Sequence, residues 1–282
     1  MKAGDSFGDR FILQSVLGSG DEGGVWLAED RQRKRKVVLK LLPAVISRHP
    51  QALAELKDTT HRSSGLVHRH IARTHEFVVA GDIAGVVLEF VEGKTMTQLR
   101  GEQPQGVFEP GDLAGWLPSL CGALEYAHLE RNLVHGGLRP DNLLIDTGGR
   151  LKLTGFGLAG QIKKWLCRLG SGWPGEGGAG SGNGPAVQEP AVSDDVFGVA
   201  ATVYELLTGT AAFGAGGDPG SGKKEAVPSI SQRRTALGIS GQAIAPAWEE
   251  TVAACLVREP AGGPRTVGEL ARRLGGVRPD VP

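Results

Sequence analysis

Two short stretches hold most of the residues able to do chemistry. Leu133–Leu144 brings together His135, Arg139, Asp141 and Asn142, and Leu151–Leu158 reads Leu-Lys-Leu-Thr-Gly-Phe-Gly-Leu. An imidazole or a carboxylate can move a proton, and carboxylate and amide oxygens can hold a divalent cation. Four positions in these stretches are glycines, among them Gly136, Gly137 and Gly155. Glycine has no side chain, so it neither ligates a cation nor accepts a proton. Asn142 offers one carbonyl oxygen, a poor Mg²⁺ site without acidic neighbours. Asp141 and Asp146 are candidate replacement bases, although Asp146 opens Asp146-Thr-Gly-Gly149, an ordinary turn setting for aspartate. His68 and His70 form a candidate metal pair that reads better as a loop entering a strand. Cys121, Cys167 and Cys255 lie far apart with no metal-type spacing. They fit a reducing cytoplasm as buried apolar residues.

The elements that must position these groups change character along the chain. Phe11 to Leu27 alternates around glycines and predicts two strands about a turn. Lys36–Leu42, Ile71 to Phe77 and Ile83 to Val91 read as further strands, and Pro50 to Ser64 has helical spacing. From there helices dominate. Asp112 to Leu129 carries an apolar face through Leu113, Trp116, Leu117, Leu120, Leu124 and Ala127. Val196 to Leu207 predicts a helix stopped at Gly209, and Pro246 to Leu256 and Val267 to Leu274 two more. The pattern predicts an α+β chain of two lobes, a β-rich one over 1–90 and an α-helical one over 91–282, joined near Glu89-Phe-Val-Glu-Gly93. Thirty-one basic and 31 acidic residues cancel, which argues against a nucleic-acid or membrane surface bound mainly by charge. No run of 18 apolar residues occurs, so any membrane anchor is expected outside this chain. The 44 glycines cluster in Gly170–Gly184 and Gly214–Gly222. These segments offer little apolar surface to offset ordering and are expected to be flexible loops. Gly170–Gly184, with flanking Lys163, Lys164 and Arg168, is the expected first site of proteolysis.

Motifs in order along the chain resemble those of bacterial eukaryotic-like serine/threonine protein kinases. Leu17-Gly-Ser-Gly-Asp-Glu-Gly-Gly-Val25 resembles the glycine-rich phosphate-covering loop, with Gly18, Gly20, Gly23 and Val25 in register. Val37-Val-Leu-Lys40 is similar to V-A-I-K, with Lys40 as the phosphate-contacting lysine. Leu88-Glu-Phe-Val91 resembles the gatekeeper and hinge. Leu133–Leu144 resembles the catalytic loop and Leu151–Leu158 the metal-binding segment. Ser193–Gly198, ahead of Val203–Gly209, resembles the helix that anchors the catalytic loop, and Cys255–Pro260 the start of the closing helices. The resemblance implies a two-lobed kinase-like fold over 1–282.

It also implies defects. Gly137 stands at the catalytic aspartate, Gly136 at the neighbouring arginine and Gly155 at the metal-binding aspartate. The glutamate expected to pair with Lys40 falls near Thr59, with Glu55 and Asp58 close by. Asp21 and Glu22 put negative charge at the glycine-rich tip, and Val38 replaces the alanine against adenine. No phosphorylatable residue follows Gly157 until Ser171. The A-P-E motif is absent, with Gln188-Glu-Pro190 a poor substitute, and Gly263 fills the place of its arginine partner. Elsewhere the family roles are structural: His135 and Phe156 packing between the lobes, Leu144 flooring the cleft, Asp195 accepting from the catalytic-loop backbone. Glu89 and Val91 would offer hinge backbone, while Arg139 and Asn142 keep a phosphate-contacting charge and a lone metal-type ligand.

The reading that follows is a pseudokinase, not an enzyme, with no catalytic residue and no metal. It would act as a scaffold or allosteric regulator of a protein partner, an active kinase among the candidates, in the cytoplasm. No cofactor is expected, and ATP binding is expected to be absent or weak. The alternatives are a nucleotide-binding sensor without transfer and an unorthodox ATP-dependent transferase.

Overall fold

The computed structural model describes residues 1–20, 23–169, 190–213, 227–257 and 263–275. The sequence expectations for Asp21 and Glu22, for Gln188 and Glu189, and for the segments 170–184 and 214–222 concern residues outside this set.

Six antiparallel strands form the first lobe: β1 (Ser6–Phe7), β2 (Phe11–Gly20), β3 (Gly23–Asp30), β4 (Arg35–Leu41), β5 (Thr74–Ala80) and β6 (Ile83–Glu89), in the order β1-β2-β3-β4-β6-β5. Between β4 and β5 lie the short α1 (Ala44–Ser47) and α2 (Pro50–Ser64). The period of two sorts β4 across the sheet. Val37, Leu39 and Leu41 join Phe7, Phe11, Leu13 and Trp26 in one buried cluster. Val38 packs on the opposite side against a cluster holding Ile46, Leu56, Val86 and Leu88. That side faces α2 and the cleft, and it carries Lys40.

The second lobe begins with β7 (Gly93–Thr95), α3 (Met96–Gly101), α4 (Pro110–Ala114) and α5 (Leu117–Arg131). A small sheet, β7-β8-β9, adds β8 (Leu143–Asp146) and β9 (Leu151–Leu153). Then follow α6 (Leu158–Arg168), α7 (Val192–Thr208), α8 (Ile230–Ala236), α9 (Pro246–Cys255) and α10 (Val267–Arg273). The core of this lobe packs α5, α7, α9 and α10 around Leu124, Tyr204, Val252 and Leu270. The fold is thus α+β in two lobes. Among the described residues no helix is long and apolar enough to cross a membrane.

Three elements depart from the sequence expectation. The helix expected over Asp112 to Leu129 is two, because Pro118 has no N–H and suits the first turn of a new helix better than the middle of an old one. The strand expected from Ile71 starts at Thr74; Ile71 instead bridges to Leu153, and Ala72 N–H donates to Leu153 O. Helix α6 was not foreseen at all. Lys164, expected as a cleavage point, lies inside α6 and is buried.

One ion pair closes the first lobe. Arg10 donates to Asp30 at 2.6 and 2.8 Å and to Glu76 at 2.9 and 3.1 Å, tying β3 to β5. Asp30 is fully buried and its carboxyl is pushed down to about 2, chiefly by the Arg10 guanidinium. A folded-state value below the ordinary 3.8 contributes stability above that pH, lost as the pH falls toward about 2. Arg10→Ala should therefore cost about 3 kcal/mol in urea melts at neutral pH, since it leaves a buried carboxylate without its counter-ion. The gap from wild type should shrink below about pH 4. A loss under about 1 kcal/mol, the range of a surface pair, would contradict this role.

Candidate functional site

The interlobe cleft is built around a buried carboxylate. Asp195, in the first turn of α7, accepts from the backbone N–H of His135 and Gly136, both at 2.8 Å, and contacts His128 Nε2 at 2.7 Å. These bonds set the path of the loop from Leu133 to Leu144. His135 is fully buried and its ring meets Phe156 edge-on at 4.9 Å. Its Nδ1 accepts from Gly137 N–H at 3.2 Å while Nε2 faces Thr154 O at 3.0 Å. Burial pushes this imidazole below its ordinary value, so it is a neutral donor and acceptor with both nitrogens engaged. Asn142 donates from Nδ2 to Gly137 O at 2.7 Å, which turns its amide onto the loop itself. Arg139 is exposed and pairs with Asp141 at 3.3 Å. Asp146 accepts from Gly148 and Arg150, and these bonds hold its carboxyl low.

On the opposite wall, Lys40 lies in β4 between Val25 of β3 and Val86 of β6. Gly18 and Val25 are register partners, as are Gly20 and Gly23, in the β2–β3 hairpin above the cleft. Glu89 donates its backbone N–H to Arg73 O at 2.8 Å, and Val91 is buried. Leu144 pairs with Thr95 and Lys152 in the small sheet.

An unexpected helix lies between these walls. Helix α6 starts one residue after the Gly155-Phe156-Gly157 bend. It inserts Leu158, Ile162, Trp165 and Leu166 into the cluster formed by Ile46, Leu56, Val86 and Leu88. Gly157 holds a φ of 71°, which favours glycine, to turn the chain into the helix. The first turn lies directly on the glycine loop. A Cβ on Gly160 would come within 3.2 Å of Gly136 O, and a Cβ on Gly137 would collide with the Ala159 methyl. A Cβ on Gly155 would meet only Asn142 Oδ1, at 3.9 Å. The two glycine positions are therefore unlike: at 155 there is space for a side chain but a φ of 86° favours glycine, and at 137 there is no space while α6 is in place.

Glu55 of α2 is turned toward the same helix. It accepts from Lys164 Nζ at 3.1 Å and from Trp165 Nε1 at 3.0 Å. Burial raises its carboxyl, but these donors outweigh burial and the net shift is downward. The Trp165 ring also packs on His49, 4.7 Å between centroids. Of the other two candidates for pairing with Lys40, Asp58 forms an exposed pair with Arg62, and Thr59 is buried beside Gly157. Ser63 ties α2 to the bend by donating toward Phe156 O at 3.0 Å. Among the described residues no group of three acidic, histidine or cysteine side chains is placed to hold a metal. His68 stacks on Tyr126, and His70 Nδ1 meets Leu151 O at 2.9 Å.

A small sheet-topped lobe, a helical lobe, and a cleft edged by a lysine strand and a histidine loop define the protein kinase class. The protein kinase domain model matches residues 11–169, and the chain belongs to that family. It is 27% identical over 278 residues to the serine/threonine-protein kinase drp72 of Corynebacterium efficiens, covering 96% of this chain and 51% of that protein. It is 28% identical over 159 residues to the serine/threonine-protein kinase PrkC of Bacillus subtilis, covering 56% and 24% respectively. The chain thus spans between a quarter and a half of these two relatives. The crystal structure of the M. tuberculosis PknI kinase domain superposes with a TM-score of 0.71 at 20% identity, over 98% of both chains, and establishes the protein kinase fold.

These relatives correct one expectation. Gly137 and Gly155 implied that the chain is not an enzyme, whereas the proteins it is related to are named serine/threonine kinases, which are enzymes. The inference from two positions was too strong in physical terms as well. Phosphoryl transfer depends on the summed positioning and electrostatics of a site, and two missing side chains do not measure that sum.

The close approach at Gly137 is directly testable. Gly137→Ala should destabilise the protein by about 2 kcal/mol, the cost of overpacking a tight contact. It should also raise hydrogen exchange across 158–168, and Ala159→Gly in the same chain should recover part of both effects. A neutral Gly137→Ala would mean that α6 does not rest on this loop in solution.

Proposed function

We propose that this kinase-family domain acts as an allosteric regulator of a protein partner. Helix α6 is the moving part, and the interlobe cleft is the input. The observation that carries the proposal is the capture of Glu55 by Lys164 and Trp165 of α6. A regulator needs two arrangements separated by a few kcal/mol, and α6 has the makings of both. Its four large apolar side chains contribute about 2 kcal/mol each when buried. Against this, Gln161 Oε1 is buried with no partner among the described residues, a cost of about 1–3 kcal/mol. Release of α6 would free Glu55 and relieve the contact at Gly137. It would also uncover the apolar face of α2 and β6, a surface a protein partner can occupy.

Nucleotide enters this scheme as a weak ligand of the docked form. Val38 lies partly buried against the α6 cluster, and Asn142 is bonded to its own loop. Without an acid at 155, a triphosphate lacks one means of recruiting a neutralising Mg²⁺. We expect ATP to bind wild type with a dissociation constant of about 1 mM or above, about −4 kcal/mol. Trp165→Ala, which loosens α6, should tighten it at least tenfold by raising the binding-competent fraction. Calorimetry with and without Mg²⁺ checks this, and equal affinities in the two proteins would remove α6 from control of the cleft.

The relatives' names favour a second reading, ATP-dependent phosphoryl transfer by this chain. Label from ATP incorporated in a Lys40-dependent manner, at the same rate in wild type and Trp165→Ala, would favour catalysis over regulation by α6.

A further inference from the structure

Behind the hinge, on the face away from the cleft, a cavity of about 570 Å³ opens between the lobes. Its walls come from β4, the α2–β5 loop, β5, the end of β6 and β9. Arg35, Lys36, Arg69, Arg73 and Lys152 line it, and Glu89 is its single acid. That acid is already engaged: its Oε2 accepts from Arg73 N–H at 2.8 Å, and its Oε1 lies 3.6 Å from Lys152 Nζ. Among the described residues the guanidiniums of Arg35, Arg69 and Arg73 form no ion pair. Nearby Arg33, by contrast, pairs with Glu76 at 3.0 Å. The whole chain is electrically balanced, so five cations against one carboxylate in one concavity is a local concentration of charge, not a property of the surface at large.

We infer that this rear-hinge cavity is a binding site for a phosphoryl oxyanion carrying two or more negative charges. A concave basic wall focuses the field on its interior. Arginine forks match tetrahedral oxyanions bidentately, which a single carboxylate cannot fully satisfy. The volume exceeds one phosphate and admits a diphosphate or a phosphorylated side chain with its neighbours. Two histidines in the wall report the same field. Burial and the nearby His70, Arg69 and Lys152 pull His68 below its ordinary value. Burial with Arg35 and Arg33 does the same to His75, partly opposed by Glu89 and Glu76. A bound anion reverses that pressure, so both imidazoles should take up protons on binding.

The site joins β4 and β5 of one lobe to β9 of the other through the hinge strand, so occupancy would bear on the angle between lobes. This inference is independent of α6 and of nucleotide in the cleft.

Calorimetry of the full chain at low salt tests it, with pyrophosphate as the free probe. A phosphothreonine peptide and its unphosphorylated twin serve as the protein-borne probe. Arg35→Glu/Arg69→Glu should weaken pyrophosphate binding at least tenfold. Lys40→Ala, which alters the cleft, and Arg265→Glu/Arg272→Glu, an equal charge change on the far lobe, should leave it within about twofold. Tighter binding of the phosphopeptide than of pyrophosphate would assign the site to a phosphorylated protein, and the reverse to a free anion. Absence of binding at millimolar probe would overturn the inference. So would loss in Lys40→Ala with the rear charge reversal silent, or equal weakening by the far-lobe reversal.

Discussion

The arrangement depends on how closely the first turn of α6 lies on the loop at Gly136 and Gly137. Ala159 and Gly160 approach that loop at distances that leave no space for a Cβ at 137 and little at 160. Packing that tight is possible only between small residues, and it fixes where the rest of the helix goes. Once the first turn is seated, Ile162, Trp165 and Leu166 must enter the space between α2 and the sheet, and Lys164 and Trp165 must meet Glu55. Two adjacent glycines, carrying no side chains, thus create the surface on which α6 rests.

The loop can serve as that surface because it is rigid. Asp195 holds two successive N–H groups, His135 is bonded at both ring nitrogens, and Asn142 closes back onto Gly137. Buried polar groups satisfied this fully specify one conformation. Rigidity on the loop side, and on the helix side a Gln161 Oε1 with no partner among the described residues, support the lower stability that the proposed regulation assigns to α6. Regulatory elements are drawn from such low-stability regions.

The fold was legible where periodicity is strong. The alternation of Val37, Leu39 and Leu41 marked β4, and α2 spans the residues its spacing gave, Pro50 to Ser64. Ordered motifs located the loop residues that surround Asp195. Helix α6 was overlooked although its stripe is present: Leu158, Ile162, Trp165 and Leu166 stand at helical spacing. The adjoining glycine-rich run drew Lys163 and Lys164 into an expected cleavage site instead. What no local pattern specifies is the burial of Lys164 against Glu55, a residue 109 positions away in the chain. The rear-hinge cavity was not legible, since its cations come from three separate segments. Glu55 was among the candidates for pairing with Lys40, but its bonds to α6 follow from where that helix docks, which no local pattern specifies.

The exchange rate of the Trp165 indole N–H tests the central claim most directly. This proton is donated to Glu55 Oε2 at 3.0 Å, and the ring is buried. In ¹⁵N-tryptophan-labelled protein, with the resonance assigned by Trp165→Phe, α6 docked in the cleft predicts strong protection that Glu55→Ala reduces at least tenfold. Exchange at the rate of an exposed indole in wild type, or protection unchanged by Glu55→Ala, would contradict it.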